Sequence, residues 1–102
     1  MNMWKWDKKT DELTPVNLSE CKMGPDERRV AFDEIDTGSV STVFLAVEHY
    51  GGMLFETMIF GHESDEEYQW RYKTAKEARE GHAKVLEWVR SGMHGQCTLD
   101  AS

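Results

Sequence analysis

Three side chains in the second half of the chain have the types needed for acid–base or metal chemistry. His49 and Glu56 flank the glycine pair at residues 51–52, and His82 follows further along. An imidazole and a carboxylate can exchange a proton near neutral pH, and both are ligands of zinc. Their spacing does not match the H-E-x-x-H motif of zinc enzymes. Two hypotheses therefore stand: a metal-binding or hydrolytic site, and a structural polar pair.

The sequence favours the structural pair. Glu56 alternates with apolar residues on one face of a predicted strand, and His82 falls on the apolar stripe of a predicted helix. A carboxylate placed in such a setting needs a partner, and an imidazole is a suitable one. We expect His82 to hydrogen-bond Glu56 beneath the helix, with His49 as the second choice of partner. We assign no catalytic residue, no metal ligand and no cofactor.

Motifs of other reactions do not occur in this sequence. There is no G-x-S-x-G nucleophile elbow, no phosphate-binding or dinucleotide-binding glycine motif, and no C-x-x-C pair. Without a secretory signal, Cys21 and Cys97 are expected to remain reduced thiols. Nucleophilic catalysis and nucleotide binding are therefore not expected.

Period-two patterns predict the strands that would position these residues. Residues 40–49 and 54–60 are rich in β-branched and aromatic side chains, and the glycines between them suit a tight hairpin. Residues 28–35 and 68–72 also alternate apolar and polar side chains. The pattern predicts an antiparallel sheet of three to four strands.

A helix is predicted after these strands. Thr74 and Glu77 have the capping-box spacing, an apolar stripe at helical spacing follows, and Gly92 is a suitable end. The expected fold is α+β, with one C-terminal amphipathic helix packed on one face of the sheet. We divide the chain into an N-terminal arm (1–27), an α+β core domain (28–92) and a flexible tail (93–102).

Charge limits the partners that the protein is expected to bind. The chain has 12 basic and 19 acidic side chains and a net charge of −7, so its field repels nucleic-acid phosphates. No segment approaches the roughly 20 apolar residues of a membrane span. We expect a protein partner instead, or a homodimer formed through an exposed strand edge. The interface candidates are acidic residues of the 61–67 segment and nearby aromatics: Glu63, Asp65, Glu66, Glu67, Trp70 and Trp88.

Four segments of the chain resemble a known family. They are VSTVFLAVEH (40–49), LFETMIFG (54–61), YQWRY (68–72) and TAKEAREGH (74–82). They are similar to the VSTVFLGLDH, LFETMVFG, Y-x-x-R-Y and T-x-E-E-A-x-x-G-H segments of small, mostly uncharacterised proteins of bacteriophages and prophages, particularly of actinobacteria. Glu48 stands where the family often has Asp, and the turn is short and lacks the prolines that many members carry.

The resemblance covers residues 28–90 and implies a phage-encoded protein in the host cytoplasm. It brings no activity, cofactor or catalytic residue. With it, we expect a non-catalytic protein-binding module that acts on a host factor, in host takeover or in counter-defence such as anti-CRISPR-like inhibition. The alternative expectation is a metal-binding or hydrolytic enzyme that uses His49, Glu56 and His82.

Overall fold

Six strands and two helices make up the computed structural model, which describes residues 3–17, 24–36, 38–49, 51–61 and 68–93. In chain order they are β1 (Met3–Trp6), β2 (Leu13–Val16), α1 (Pro25–Arg28), β3 (Arg29–Ile35), β4 (Gly38–His49), β5 (Met53–Phe60), β6 (Gln69–Tyr72) and α2 (Ala75–Arg90). All strand pairs are antiparallel, and α2 packs against the sheet. The predicted α+β class is confirmed.

The long strand β4 organises the sheet, whose order is β2-β1-β4-β5-β6 with β3 also paired to β4. Both β1 and β3 use the same edge of β4, because β5 occupies the other edge. Strand β3 pairs with residues 38–43, and β1 joins β4 at Val47. Between them, Arg28 donates to the carbonyl oxygens of Phe44 and Leu45 at 2.9 and 3.1 Å. Its guanidinium therefore satisfies backbone acceptors that neither strand reaches.

The N-terminal residues are part of the sheet, whereas the sequence pattern predicts a separate arm for them. Residues 3–16 form the hairpin β1–β2, so the sheet has six strands rather than three to four. Trp6 is only 2% exposed and packs its ring against Phe44 and Phe55, with centroid distances of 5.9 and 5.5 Å. The strands are short, and β2 contains a proline, so their sequence pattern is weak.

Helix α2 begins as its sequence predicts. The Thr74 hydroxyl accepts a hydrogen bond from the backbone N–H of Glu77 at 3.1 Å and thereby caps the first turn. Close approach of the helix to β6 requires Gly81, because a Cβ atom there would lie 2.3 Å from the ring of Tyr72. The face that α2 buries includes Ala78, His82 and Val85.

The sheet has one face against α2 and one face away from it. The register of β4 and β5 pairs Val40 with Ile59, Thr42 with Thr57 and Phe44 with Phe55, and these six side chains are buried on the helix side. Because side chains alternate along a strand, the intervening residues of β4 and β5 point to the opposite face. We call this second surface the open face. Its pairs are Ser39 with Phe60, Ser41 with Met58 and Val43 with Glu56.

Neither α1 nor α2 has the length and apolar composition that a bilayer span requires within the described ranges. The predicted tail lies outside the described residues from position 94 onward.

Candidate functional site

Glu56 and His82 lie on opposite faces of the sheet. Thr57 faces α2, where its hydroxyl joins a network that includes His82, so the preceding residue Glu56 points to the open face. The expected hydrogen bond between Glu56 and His82 is therefore not formed. Strand alternation predicts which residues share a face, but it does not say which face the helix covers.

Glu56 finds its partners on the neighbouring strand β6. Its Oε2 atom accepts hydrogen bonds from the Gln69 side-chain amide and from Nε of Arg71, the latter at 2.9 Å. The residue is only 8% exposed, so these donors replace the water that its carboxylate loses. The interaction ties β5 to β6 through Oε2 of the carboxylate.

His82 belongs to a different network, which links α2 to three strands. We call it the His82 network: Asp33, Thr42, Thr57, Tyr72 and His82. The His82 ring contacts Thr42 Oγ1 through Nδ1 at 2.7 Å and Asp33 Oδ2 through Nε2 at 2.8 Å. The two threonine hydroxyls are 2.5 Å apart, and the Tyr72 hydroxyl donates to Thr57 at 3.0 Å. Every member thus has a polar partner.

One set of proton positions satisfies the whole His82 network. Tyr72 donates to Thr57, so the Thr57 proton is directed at Thr42, and the Thr42 proton is directed at Nδ1 of His82. The proton on the imidazole then lies on Nε2 and is donated to the Asp33 carboxylate. This set of proton positions corresponds to the tautomer of His82 that carries its proton on Nε2.

The order Asp33–His82–Thr42 is the order of a catalytic acid–base–nucleophile triad, but its hydroxyl cannot meet a substrate. Thr42 and Thr57 are both 0% exposed, whereas nucleophilic catalysis requires a hydroxyl that reaches the scissile group. Only the Asp33 end of the network is exposed, with 40% of that side chain accessible. The arrangement therefore satisfies buried polar groups and fixes α2 on the sheet.

The other predicted site residues have separate positions. His49 ends β4 and pairs its backbone with Met53, and its side chain is not among those described. The candidates Glu63, Asp65, Glu66 and Glu67 lie outside the described residues. In the described ranges, no three acidic, histidine or cysteine side chains form a group that could hold a metal ion.

Trp70 and Trp88 lie together in a half-buried aromatic cluster with Tyr68. The ring of Tyr68 stacks on that of Trp70 with a centroid distance of 6.1 Å. Trp88 on α2 meets both rings edge-on, at 5.5 Å from Tyr68 and 6.1 Å from Trp70. These contacts pack the C-terminal half of the helix onto β6 and its approach.

The open face carries a groove that the sequence patterns did not predict. Phe32 on β3 pairs with Ser41, and Phe60 on β5 pairs with Ser39, so two phenylalanines flank two serines of β4. The flanking strands are roughly 10 Å apart, since each strand spacing is about 4.8 Å. Phe32 is 43% exposed and Phe60 is 49% exposed. We call this feature the serine groove and define it by Phe32, Ser39, Ser41 and Phe60.

Charges of opposite sign lie at the two ends of the serine groove. Arg29 places its guanidinium carbon 5.0 Å from the centroid of the Phe32 ring, in a cation–π contact. Glu34 lies two residues beyond Phe32 on the same strand face and pairs with Ser39. The groove thus has an aromatic ring on each flanking strand, a polar floor, and a charge toward each end of its β3 side.

Two cavities lie away from the predicted site residues. One of about 470 Å³ lies between Ile35 near the β3–β4 turn and Val89 near the end of α2. Another of about 680 Å³ follows the N-terminal hairpin beside Lys5 and Trp6. Neither is lined by Glu56 or His82, so neither gives a substrate access to these side chains.

Comparisons of the chain with protein-family models, with curated proteins and with solved structures gave no match. The resemblance to phage proteins thus stays an expectation from the sequence segments.

Proposed function

We propose that the protein is a non-catalytic binding module whose open face receives apolar side chains of a partner protein. One observation carries the proposal: among the residues that the structure describes, the two exposed large hydrophobic side chains, Phe32 and Phe60, flank the same groove. Contact between an exposed apolar surface and water is unfavourable. Burial of that surface by a partner protein therefore releases free energy. Aromatic residues are also the common anchors of protein interfaces.

The composition of the serine groove supports a protein partner over a nucleic acid. The acidic net charge opposes phosphate binding, and the groove has one basic end beside Arg29 and one acidic end beside Glu34. A partner with an apolar strip and charges of opposite order would match it. The hydroxyls of Ser39 and Ser41 offer hydrogen bonds at the floor.

Only the sequence resemblance to phage proteins supports a host factor as the partner. In that setting the module would cover a surface of a host protein and so act in host takeover or counter-defence, by steric or electrostatic occlusion. The rival function, a metal-binding or hydrolytic site of His49, Glu56 and His82, gains no support, because Glu56 and His82 lie on opposite faces of the sheet.

Affinity capture from a lysate of an actinobacterial host tests this proposal. The test variant replaces both exposed rings, as Phe32→Thr with Phe60→Thr, because threonine keeps the preference for strands. The control variant, Lys76→Ser with Lys84→Ser, changes two exposed residues on the helix. We expect wild type and control to retain one specific host protein, and the test variant to lose it.

Two results would contradict the proposal. One is the absence of any specific host protein with wild type, and the other is equal capture by wild type and the ring variant. Both variants must unfold cooperatively in urea, so that loss of capture is not loss of fold.

A further inference from the structure

Strand β6 forms one end of the sheet, and no other strand of the described residues pairs with its outer edge. It pairs with β5 on its inner side and is the last strand in the order β2-β1-β4-β5-β6. The backbone N–H of Ile59 donates to the carbonyl of Tyr68 at 3.3 Å, which marks these two residues as a hydrogen-bonded pair. Such pairs alternate along an antiparallel ladder, so Trp70 and Tyr72 also face inward. The backbone N–H and C=O groups of Gln69 and Arg71 therefore point outward.

These outward groups form a short template for another strand. Within the described residues, the hydrogen bonds of Gln69 and Arg71 outside the ladder are made by their side chains, which contact Glu56. Strand β6 has no proline and carries Trp70 on the helix side and Gln69 and Arg71 on the open face. The outward backbone groups of an edge strand can pair with a strand of another chain, and the four-residue β6 offers two residues for such pairing.

We propose that the protein forms a two-fold dimer in which the β6 strands of two copies pair antiparallel. The two-fold axis passes between the two Trp70 residues. Gln69 of each copy therefore lies opposite Arg71 of the partner subunit. This register pairs both outward-facing residues of the strand with each other. A register centred on Arg71 would place two like charges opposite one another, which is unfavourable.

The side chains of β6 make a second copy the fitting partner. Antiparallel pairing brings the charged Arg71 of each strand opposite the uncharged Gln69 of the other, and a two-fold interface applies that match twice. Trp70 would lie beside Trp70 of the partner subunit, which extends the aromatic cluster across the axis.

The dimer has a geometric consequence for the rest of the surface. Two sheets joined edge to edge are related by an axis perpendicular to the sheet. Both α2 helices then lie on one side, and both open faces lie on the other side. The assembly presents two serine grooves on the same surface. The inference does not depend on what those grooves bind.

Sedimentation velocity over a range of protein concentrations tests the dimer. Gln69→Pro removes the outward N–H and leaves the inward ladder with β5 intact. Gln69→Ala is the matched control, because it loses the same side-chain contact with Glu56 but keeps the N–H. We expect wild type and Gln69→Ala to dimerise with similar dissociation constants. Gln69→Pro should weaken dimerisation about tenfold or more, since two backbone hydrogen bonds are lost per dimer.

Amide hydrogen exchange of the wild-type protein gives a second measurement that needs no variant. Exchange at Gln69 and Arg71 should slow as the protein concentration rises, while exchange at the inward-facing Trp70 should change little. A wild-type protein that remains monomeric overturns the proposal. So does a dimer in which Gln69→Pro associates as tightly as Gln69→Ala, or in which Arg71 exchange is independent of concentration.

Discussion

At the scale of single residues, the polar groups beneath α2 decide how this sheet and helix fit together. Thr42 lies at the centre of the His82 network, between the hydroxyl of Thr57 and the imidazole of His82. It is completely buried, so no water can replace a lost partner without a rearrangement. An unsatisfied buried donor or acceptor costs about 1–3 kcal/mol.

Replacement of Thr42 by valine is therefore expected to destabilise the protein by about 1–3 kcal/mol, because His82 Nδ1 and the Thr57 hydroxyl lose a partner while the shape is kept. Urea unfolding followed by circular dichroism gives the free energy of unfolding. Ser41→Ala, one residue away on the open face, is the control and should change stability by less than about 0.5 kcal/mol. Equal stability of Thr42→Val and wild type would show that the hydroxyl chain contributes nothing.

The orientation of single side chains toward or away from the helix could not be predicted from the sequence. Period-two alternation placed Glu56, Met58 and Phe60 together, as the structure does. It could not tell that the helix covers the other face, because each face of β4 and β5 carries apolar residues. The inward-facing polar pair Thr42 and Thr57 was visible as a break in an apolar row, and it is the signal that could have revealed the His82 network.

At the scale of elements, an ion pair joins the N-terminal hairpin to helix α2. Arg79 donates two hydrogen bonds to the Asp11 carboxylate, at 2.6 and 2.7 Å, and lies 6.0 Å from the centroid of the Trp6 ring. Hydrogen bonding to Arg79 is the main cause that holds the pKa of Asp11 below its ordinary value of 3.8, and the indole N–H of Trp6 adds to it. The pair spans 68 residues of sequence, so local patterns could not predict it.

Asp11→Asn should lower the free energy of unfolding by less than about 1 kcal/mol at neutral pH, because both partners of the ion pair are partly exposed. Asparagine also tolerates the positive φ of 63° at this position. The pKa of Asp11 is lowered in the folded state, so the stabilisation is present above pH 3.8 and is lost as the pH falls below it.

Urea unfolding at neutral pH and at about pH 3 measures this dependence. The difference between wild type and Asp11→Asn should shrink at the acidic pH. Glu80→Gln, on the exposed side of α2, is the control for a general loss of negative charge. A difference that is unchanged or larger in acid would contradict the assigned role of the ion pair.

The elements themselves were largely predictable where the patterns are strong. The hairpin β4–β5, the alternating strands β3 and β6 and the capped helix α2 all follow from local sequence. The hairpin β1–β2 did not, because Pro15 interrupts the pattern of β2 and the stability of the hairpin comes from distant partners such as Phe44 and Arg79.

At the scale of the whole molecule, we expect a net charge of −7 to prevent binding to nucleic acids. The basic residues of the described chain are partly engaged with acids, as Arg71 is with Glu56 and Arg79 is with Asp11. We expect no retardation of duplex DNA in a gel-shift assay at low salt, where phosphate contacts are strongest. A salt-sensitive shift would instead indicate a local basic surface that outweighs the overall field.

The single junction of β1 with β4 has a consequence for the order of folding. β1 meets β4 at one residue pair, Met3 with Val47, which closes a long loop, whereas β3, β4 and β5 are neighbours in sequence. Loop closure makes distant contacts slower to form than local ones. We infer that the β3–β4–β5 meander forms the folding nucleus and that the N-terminal hairpin docks late. We then expect the same hairpin to open before the rest of the described sheet.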